Sequence, residues 1–186
     1  MSIQCIKILG YNLRPTHDPM SNFAFICKVL NQSIDPPTQH YDTLEIRNGI
    51  ILCSPLARAR QCLKYSPDGI VAYPRELVEI PFDLAACCTI EEWLEKGSIV
   101  VRKKFKEAFI GNTLLISRQE IMQQAKKIFA ECRQCGATTI VSHTFRLILL
   151  KAIYETNGKI IDKPKLIHNY IDDQKRILDF GETFNL

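Results

Sequence analysis

The feature that most constrains this chain is the run Gly49-Ile50-Ile51-Leu52-Cys53, which passes without a break into Ser54-Pro55. Consecutive apolar side chains cannot alternate between core and water. A strand made of them is buried on both faces, as the central strands of parallel sheets are. A serine followed by proline is a common entry into a helix, with the serine as N-cap and the proline at the first helical position. A central strand that turns at once into a helix belongs to an α/β sheet, and such junctions are where these sheets place their chemistry.

The rest of the chain repeats that alternation. Ile3 to Leu13 is β-branched and aliphatic enough for a first strand, and Ser21 to Asn31 sets Phe23, Ile26, Cys27 and Leu30 at helical spacing. Ser33 to Tyr41, with Pro36-Pro37, reads as a loop, and Ile70 to Tyr73 as a third short strand. Thr89-Ile-Glu-Glu92 and Ser117-Arg-Gln-Glu120 are capping boxes. The second opens an amphipathic helix with Ile121, Met122, Ala125, Ile128, Phe129 and Cys132 on one face, stopped by Gly136. Thr138 to Val141 is the next strand, then Ser142-His143, then the apolar helix Phe145 to Tyr154. Ile167 to Ile171 and Arg176 to Phe180 resemble a closing pair of strands. The expected architecture is α/β, a sandwich around a mixed, mostly parallel central sheet, in a single domain over residues 1–186.

Composition narrows the class. No apolar run approaches the ~20 residues of a membrane helix, so no membrane partner is expected. The opening MSIQCIKILGYNL reads as a strand, with no basic leader before it and no small-residue cleavage site after it. The eight cysteines lie where apolar residues belong, which points to a reducing, cytoplasmic setting. The net charge of +4 is mild. Its one basic cluster, Arg102-Lys103-Lys104 with Lys106, has no aromatic interleaving and reads as the wet face of a helix, not a nucleic-acid surface. Cys132-Arg-Gln-Cys135 is a lone pair at the wrong end of a helix for redox work and lacks the second pair a zinc site needs. No metal and no cofactor are expected.

Three stretches carry chemistry. Ser54-Pro-Leu-Ala-Arg58-Ala-Arg-Gln61 sets an arginine one turn into a helix whose N-terminus favours anions, and a planar guanidinium suits phosphate. Leu77-Val-Glu79-Ile80 holds a lone carboxylate among apolar neighbours, where burial would raise its pKa and suit it to proton donation. Val141-Ser142-His143 places a histidine just past a buried strand.

In order and spacing these stretches resemble the histidine phosphatase (phosphoglycerate mutase-like) superfamily. Residues 54–62 follow its S-P-L-x-R-A-x-Q-T pattern, with Cys62 in place of the threonine, and Leu77 to Ile80 follow L-x-E-I. Arg102 to Phe109 and the helix from Ser117 occupy the places of the family's next helices, and Val141 to His143 match V-S-H. The resemblance spans about residues 50–155 and implies a three-layer α/β/α fold, with an insertion or lid at about 81–116. It also implies that Arg58 binds phosphate, that Glu79 is the general acid and that His143 stabilises the transferring phosphoryl group. Ser142 and Thr144, flanking His143, are placed with Arg58 among the ligand-binding residues. The family often forms dimers, so a homodimer is admitted.

One element of the pattern is missing. The family's nucleophile is the histidine of an Arg-His-Gly motif at the end of the first strand, and this chain has no Arg-His-Gly. Two registers are open. Gly10-Tyr11-Asn12 take the three places if the strand ends at Leu9. Arg14-Pro15-Thr16 take them if it ends at Leu13, which keeps Arg14 as a phosphate ligand. His17 is the nearest histidine and the weak candidate for a substitute nucleophile. Thr144-Phe145 stand where the family has small residues. The expected function is binding of a phosphorylated or other anionic small molecule without phosphatase turnover. The alternatives are altered acid/base chemistry of isomerase, cyclase or lyase type on Glu79 and His143, a phosphatase using His17, or a scaffold for protein interaction.

Overall fold

A computed structural model describes residues 3–7, 18–36, 44–46, 49–65, 69–171 and 183–185. Strand β1 (Gln4–Lys7) is followed by helix α1 (Pro19–Leu30), strand β2 (Leu44–Ile46) and strand β3 (Ile50–Cys53). Helix α2 (Ala57–Arg60), β4 (Leu63–Tyr65) and β5 (Ile70–Ala72) come next. Helices α3 (Ile90–Lys96), α4 (Ser98–Gly111) and α5 (Arg118–Cys135) then lead to β6 (Thr139–Ser142), α6 (Thr144–Glu155) and β7 (Thr183–Asn185).

The central sheet has the order β5-β3-β6-β1-β7. Its first four strands are parallel, and β7 is antiparallel to β1. The chain is therefore α/β. β2 and β4 pair separately, in parallel, as a two-stranded sheet that the sequence pattern does not announce.

Register explains why the inner strands are apolar throughout. Cys5 and Leu52 both lie opposite Ile140, while Ile6 and Cys53 both lie opposite Val141. The first set joins the main core with residues of the helices, among them Cys27, Phe105, Ile121, Ile128 and Leu147. The second set, with Ile51, packs on Ala59, Cys62 and Leu63. Each face of the sheet thus feeds its own core, and full burial of one Leu or Ile side chain contributes about 1.5–3 kcal/mol.

Caps place the long helices as their sequences imply. Thr89 and Ser117 each accept from the backbone amide of the glutamate three residues on, and both capping boxes close. Gly136, at φ +67, ends α5. Phe82 is buried, and the Trp93 ring lies 5.9 Å from that of Phe23 against the core. Segment 81–116 also supplies Leu84, Phe105 and Phe109 to that core.

Three expectations are corrected. The helix foreseen from Ser54 begins at Ala57 and is only four residues long, with Leu56 at its N-cap and no side-chain cap there; the Ser54 hydroxyl accepts from the Leu56 amide at 3.4 Å and lies 2.8 Å from Nε2 of His143. The few peptides of this helix cannot supply the dipole of a long one. The strand foreseen at Ile167–Ile171 is replaced by a 3₁₀ turn, Pro164–Asn169, since two buried isoleucines four apart suit a helical turn. The edge partner of β1 is instead β7, and Arg176–Phe180 lie outside the described residues. The basic cluster is not all wet: Lys104 pairs with Glu92 at 3.6 Å and Glu107 at 3.8 Å, Lys103 is exposed, but Lys106 is buried. Among the described residues no helix is long and apolar enough to cross a membrane.

Two glycines test the backbone. Gly49 (φ +99) and Gly136 (φ +67) both occupy conformations that suit glycine. A Cβ on Gly136 meets nothing, so Gly136→Ala should cost about 1 kcal/mol. A Cβ on Gly49 would also collide with the Thr138 hydroxyl, so Gly49→Ala should cost more. Urea unfolding of the two variants checks the order, and equal losses would show that Thr138 yields without cost.

Candidate functional site

The site forms where β3 and β6 end. They are neighbours and parallel, with Cys53 opposite Val141, so the residues that follow leave the same edge of the sheet side by side. The Ser54 amide donates to the Val141 carbonyl (2.9 Å), extending the ladder by one rung. The Ser54 hydroxyl then lies 2.8 Å from Nε2 of His143, and both residues are buried. β1 joins from the other side, with Lys7 opposite Ser142.

His143 occupies the N-cap position of α6, yet its side chain makes no capping bond. Glu79 supplies the cap instead, from another part of the chain. Its Oε1 accepts from the amides of Arg146 (2.9 Å) and Ile80 (2.8 Å), and its Oε2 from that of Phe145 (3.2 Å). A carboxylate is the natural partner of a helix N-terminus. This trans cap leaves the imidazole of His143 to Ser54.

Glu79 stays in place because the segment before it is tied down carbonyl by carbonyl. The Ser142 hydroxyl donates to the Leu77 carbonyl (2.7 Å), Nε of Arg146 to the Val78 carbonyl (2.9 Å), and Nε2 of Gln32 to the carbonyl of Glu79 itself. Among the described residues no strand pairs with this stretch, and side chains meet its backbone needs. Nη2 of Arg146 also donates to Oε1 of Gln124 (2.7 Å), which ties the site to α5.

Arg58 lies on α2, one turn beyond Ser54, and is buried. Its Nη1 forms a 3.0 Å ion pair with Oδ1 of Asp35, while Oδ2 of Asp35 accepts from the Ala57 amide at 2.7 Å. The charge of Arg58 reaches both other residues: it opposes protonation of His143 and favours ionisation of Glu79.

Burial decides the protonation states. It pushes the Glu79 carboxyl above its ordinary 4.5, although the three amides and Arg58 pull the other way. The raised value means that the contribution of Glu79 to stability is full at low pH and is lost as pH rises through it. Burial, with Arg58 and Arg146, holds His143 well below its ordinary 6.5, so the imidazole is neutral at physiological pH. Arg146 is pushed down by burial to about 10 and remains a cation at that pH.

Arg58, Glu79 and His143 are thus brought together from three separate stretches. Ser142, its hydroxyl turned inward onto Leu77, acts here as a brace, and Thr144 stands half-buried at the first position of α6. Phe145 turns into the core and stacks on Phe105 with ring centroids 3.8 Å apart, locking α4 to the site helix. Arg14, Tyr11, Pro15 and His17 lie outside the described residues, as does the whole span 8–17.

Three participants escape a reading of the sequence. Arg146 left a trace, a charge between Phe145 and Leu147 in the apolar first half of its helix. Asp35 and Gln32 left none, since both follow α1 in a stretch with loop character. All eight cysteines are thiols, and Cys132 of the C-x-x-C pair is pushed by burial up to about 12, the reverse of a reactive thiol. Among the described residues no cluster of three or more His, Cys, Asp or Glu side chains could hold a metal ion.

Comparison with protein-family models, with curated proteins and with solved structures finds no match to this chain.

The pH dependence of stability reports on His143 directly. Below pH 6.5 the unfolded chain gains a proton at this position that the folded chain refuses. Stability should therefore fall with pH, by about 1.4 kcal/mol per unit for this one proton, until the folded pKa is reached. His143→Gln should remove that slope. Urea unfolding at pH 7, 6 and 5 checks it, and identical slopes in the two proteins would contradict the assignment.

Proposed function

We propose that this chain is a degenerate histidine phosphatase, with the phosphoglycerate mutase-like α/β/α fold, that binds a phosphorylated or other anionic small molecule without turning it over. The observation that supports this most is the convergence of Arg58, Glu79 and His143 at one sheet edge. Each occupies the place of a functional residue in the resemblance, and the three are far apart in sequence. A mixed, mostly parallel sheet agrees with the same reading.

The chemistry favours holding an anion over transferring a phosphoryl group. Arg58 supplies a buried positive charge beside a neutral imidazole. Glu79 is held against α6 by the amides of Phe145 and Arg146, and the Ile80 amide beside it donates to the same carboxyl. The sequence has no Arg-His-Gly histidine to attack phosphorus. A neutral His143 within hydrogen-bonding distance of Ser54 is the observation that favours the second reading, acid/base chemistry without a covalent intermediate.

Phosphate release from an aryl phosphate and a panel of metabolite phosphates, with melting curves in phosphate and vanadate, separates these readings. The expected result is no release, with a stabilisation that Arg58→Ala abolishes, about 2.7 kcal/mol at a ligand concentration 100 times Kd. Phosphate release that disappears in both Arg58→Ala and His143→Ala would overturn the proposal.

A further inference from the structure

From the contact between α2 and the stretch that follows α1, we infer that Asp35 is a resident anion on Arg58 that sets which ligands the site accepts. The inference rests on the anion-site reading given above. The carboxylate of Asp35 already does what a bound oxyanion would do there. One oxygen takes Nη1 of Arg58 at 3.0 Å and the other takes the Ala57 amide at 2.7 Å.

The pair is lopsided in a way that matters. The Arg58 side chain is 3% exposed and the Asp35 side chain 35%. The arginine cannot leave without a large desolvated void and an unpaired neighbour. The aspartate can turn into water, where its charge is well solvated. An incoming ligand therefore exchanges with Asp35, not with Arg58.

The stretch that carries Asp35 is fastened and strained. Nε2 of Gln32 is bonded to the Glu79 carbonyl, while Gln32 itself sits at φ +62, a left-handed conformation that a non-glycine residue adopts only under constraint. Ser33 closes the turn, its hydroxyl donating to the Lys28 carbonyl (3.0 Å) and its amide accepted by Oδ1 of Asn31 (3.0 Å). This stretch thus touches two of the three site residues, Glu79 through Gln32 and Arg58 through Asp35.

Exchange has a consequence for specificity. Replacing one carboxylate by another gains nothing at Arg58, because charge and geometry are the same. A phosphate dianion brings a second charge and more acceptor oxygens, so it can displace Asp35 where a carboxylate cannot. The site should take dianionic phosphates and reject simple carboxylates.

Calorimetric titration of inorganic phosphate into the wild type, Arg58→Lys, Asp35→Asn, Asp35→Glu and Asp35→Asn with Arg58→Lys tests this. The asparagine keeps an oxygen for the Ala57 amide and removes only the charge. Asp35→Asn should bind phosphate at least about tenfold more tightly than the wild type, which corresponds to ~1.4 kcal/mol. Asp35→Glu should not, and the added Arg58→Lys should cancel the gain. Asp35→Ser, another small acceptor without charge, stands in should the asparagine variant fold poorly. Binding by Asp35→Asn alone would also support the inference, and would show the native site closed to phosphate. Equal or weaker binding by the uncharged variants, with an Arg58-dependent wild type, would overturn the inference and leave the anion site standing. No binding by any of the proteins would overturn both.

Discussion

The parallel pairing of β3 with β6 is the constraint on which the rest depends. It is a backbone interaction, yet it fixes the chemistry. Two neighbouring strands that end at the same edge deliver Ser54 and His143 to each other, although they lie 89 residues apart in sequence. Every other group at the site is placed relative to this junction. Arg58 follows Ser54 by one turn, α6 follows His143 directly, and Glu79, which follows β5 in the chain, caps the start of α6. A slip of one residue in this register would turn Leu52 and Cys53 to the wrong cores and part the two side chains.

The second organising feature is how buried charge is managed. Arg58, Glu79, Arg146 and Lys106 are all buried, and ionised groups removed from water are expensive unless they are satisfied. Glu79 does double service, as cap for α6 and as a carboxyl that favours the cation of Arg146. The arginines in turn keep His143 neutral, by adding positive charge beside an imidazole already disfavoured as a cation by burial. Asp35 neutralises Arg58 from the half-exposed side. Among the described charges at the site Asp35 is the most exposed, its side chain 35% exposed against 3% for Arg58.

Much of this was legible in the sequence, and the failures have physical reasons. The central strand at 50–53 is apolar because both its faces are buried, which is the signal that identifies it. Capping boxes and Gly136 gave the ends of α3 and α5 because those signals are local. Ser-Pro satisfies the local rule for a helix start, and the Ser54 hydroxyl does take the Leu56 amide, but the helix begins three residues later and the hydroxyl also meets a histidine that only the tertiary fold brings near. Asp35 and the Gln32 contact are long-range polar partners of the same kind. A loop residue carries no periodicity, so nothing marks it in advance. Arg146 is the intermediate case: its charge among apolar neighbours signals a buried partner, but not which one.

The central claim is that Arg58, Glu79 and His143 form an anion site that has lost its covalent step. A crystal structure of the chain with vanadate tests it most directly, since vanadate forms bonds with a competent nucleophile and only hydrogen bonds without one. The account predicts vanadate at the ends of β3 and β6, hydrogen-bonded to Arg58 and near His143, with no bond from vanadium to any protein atom and with Asp35 turned outward. Vanadium bonded to a side-chain nitrogen or oxygen would show that a nucleophile survives, and vanadate absent from this edge would show that the three residues serve the fold alone.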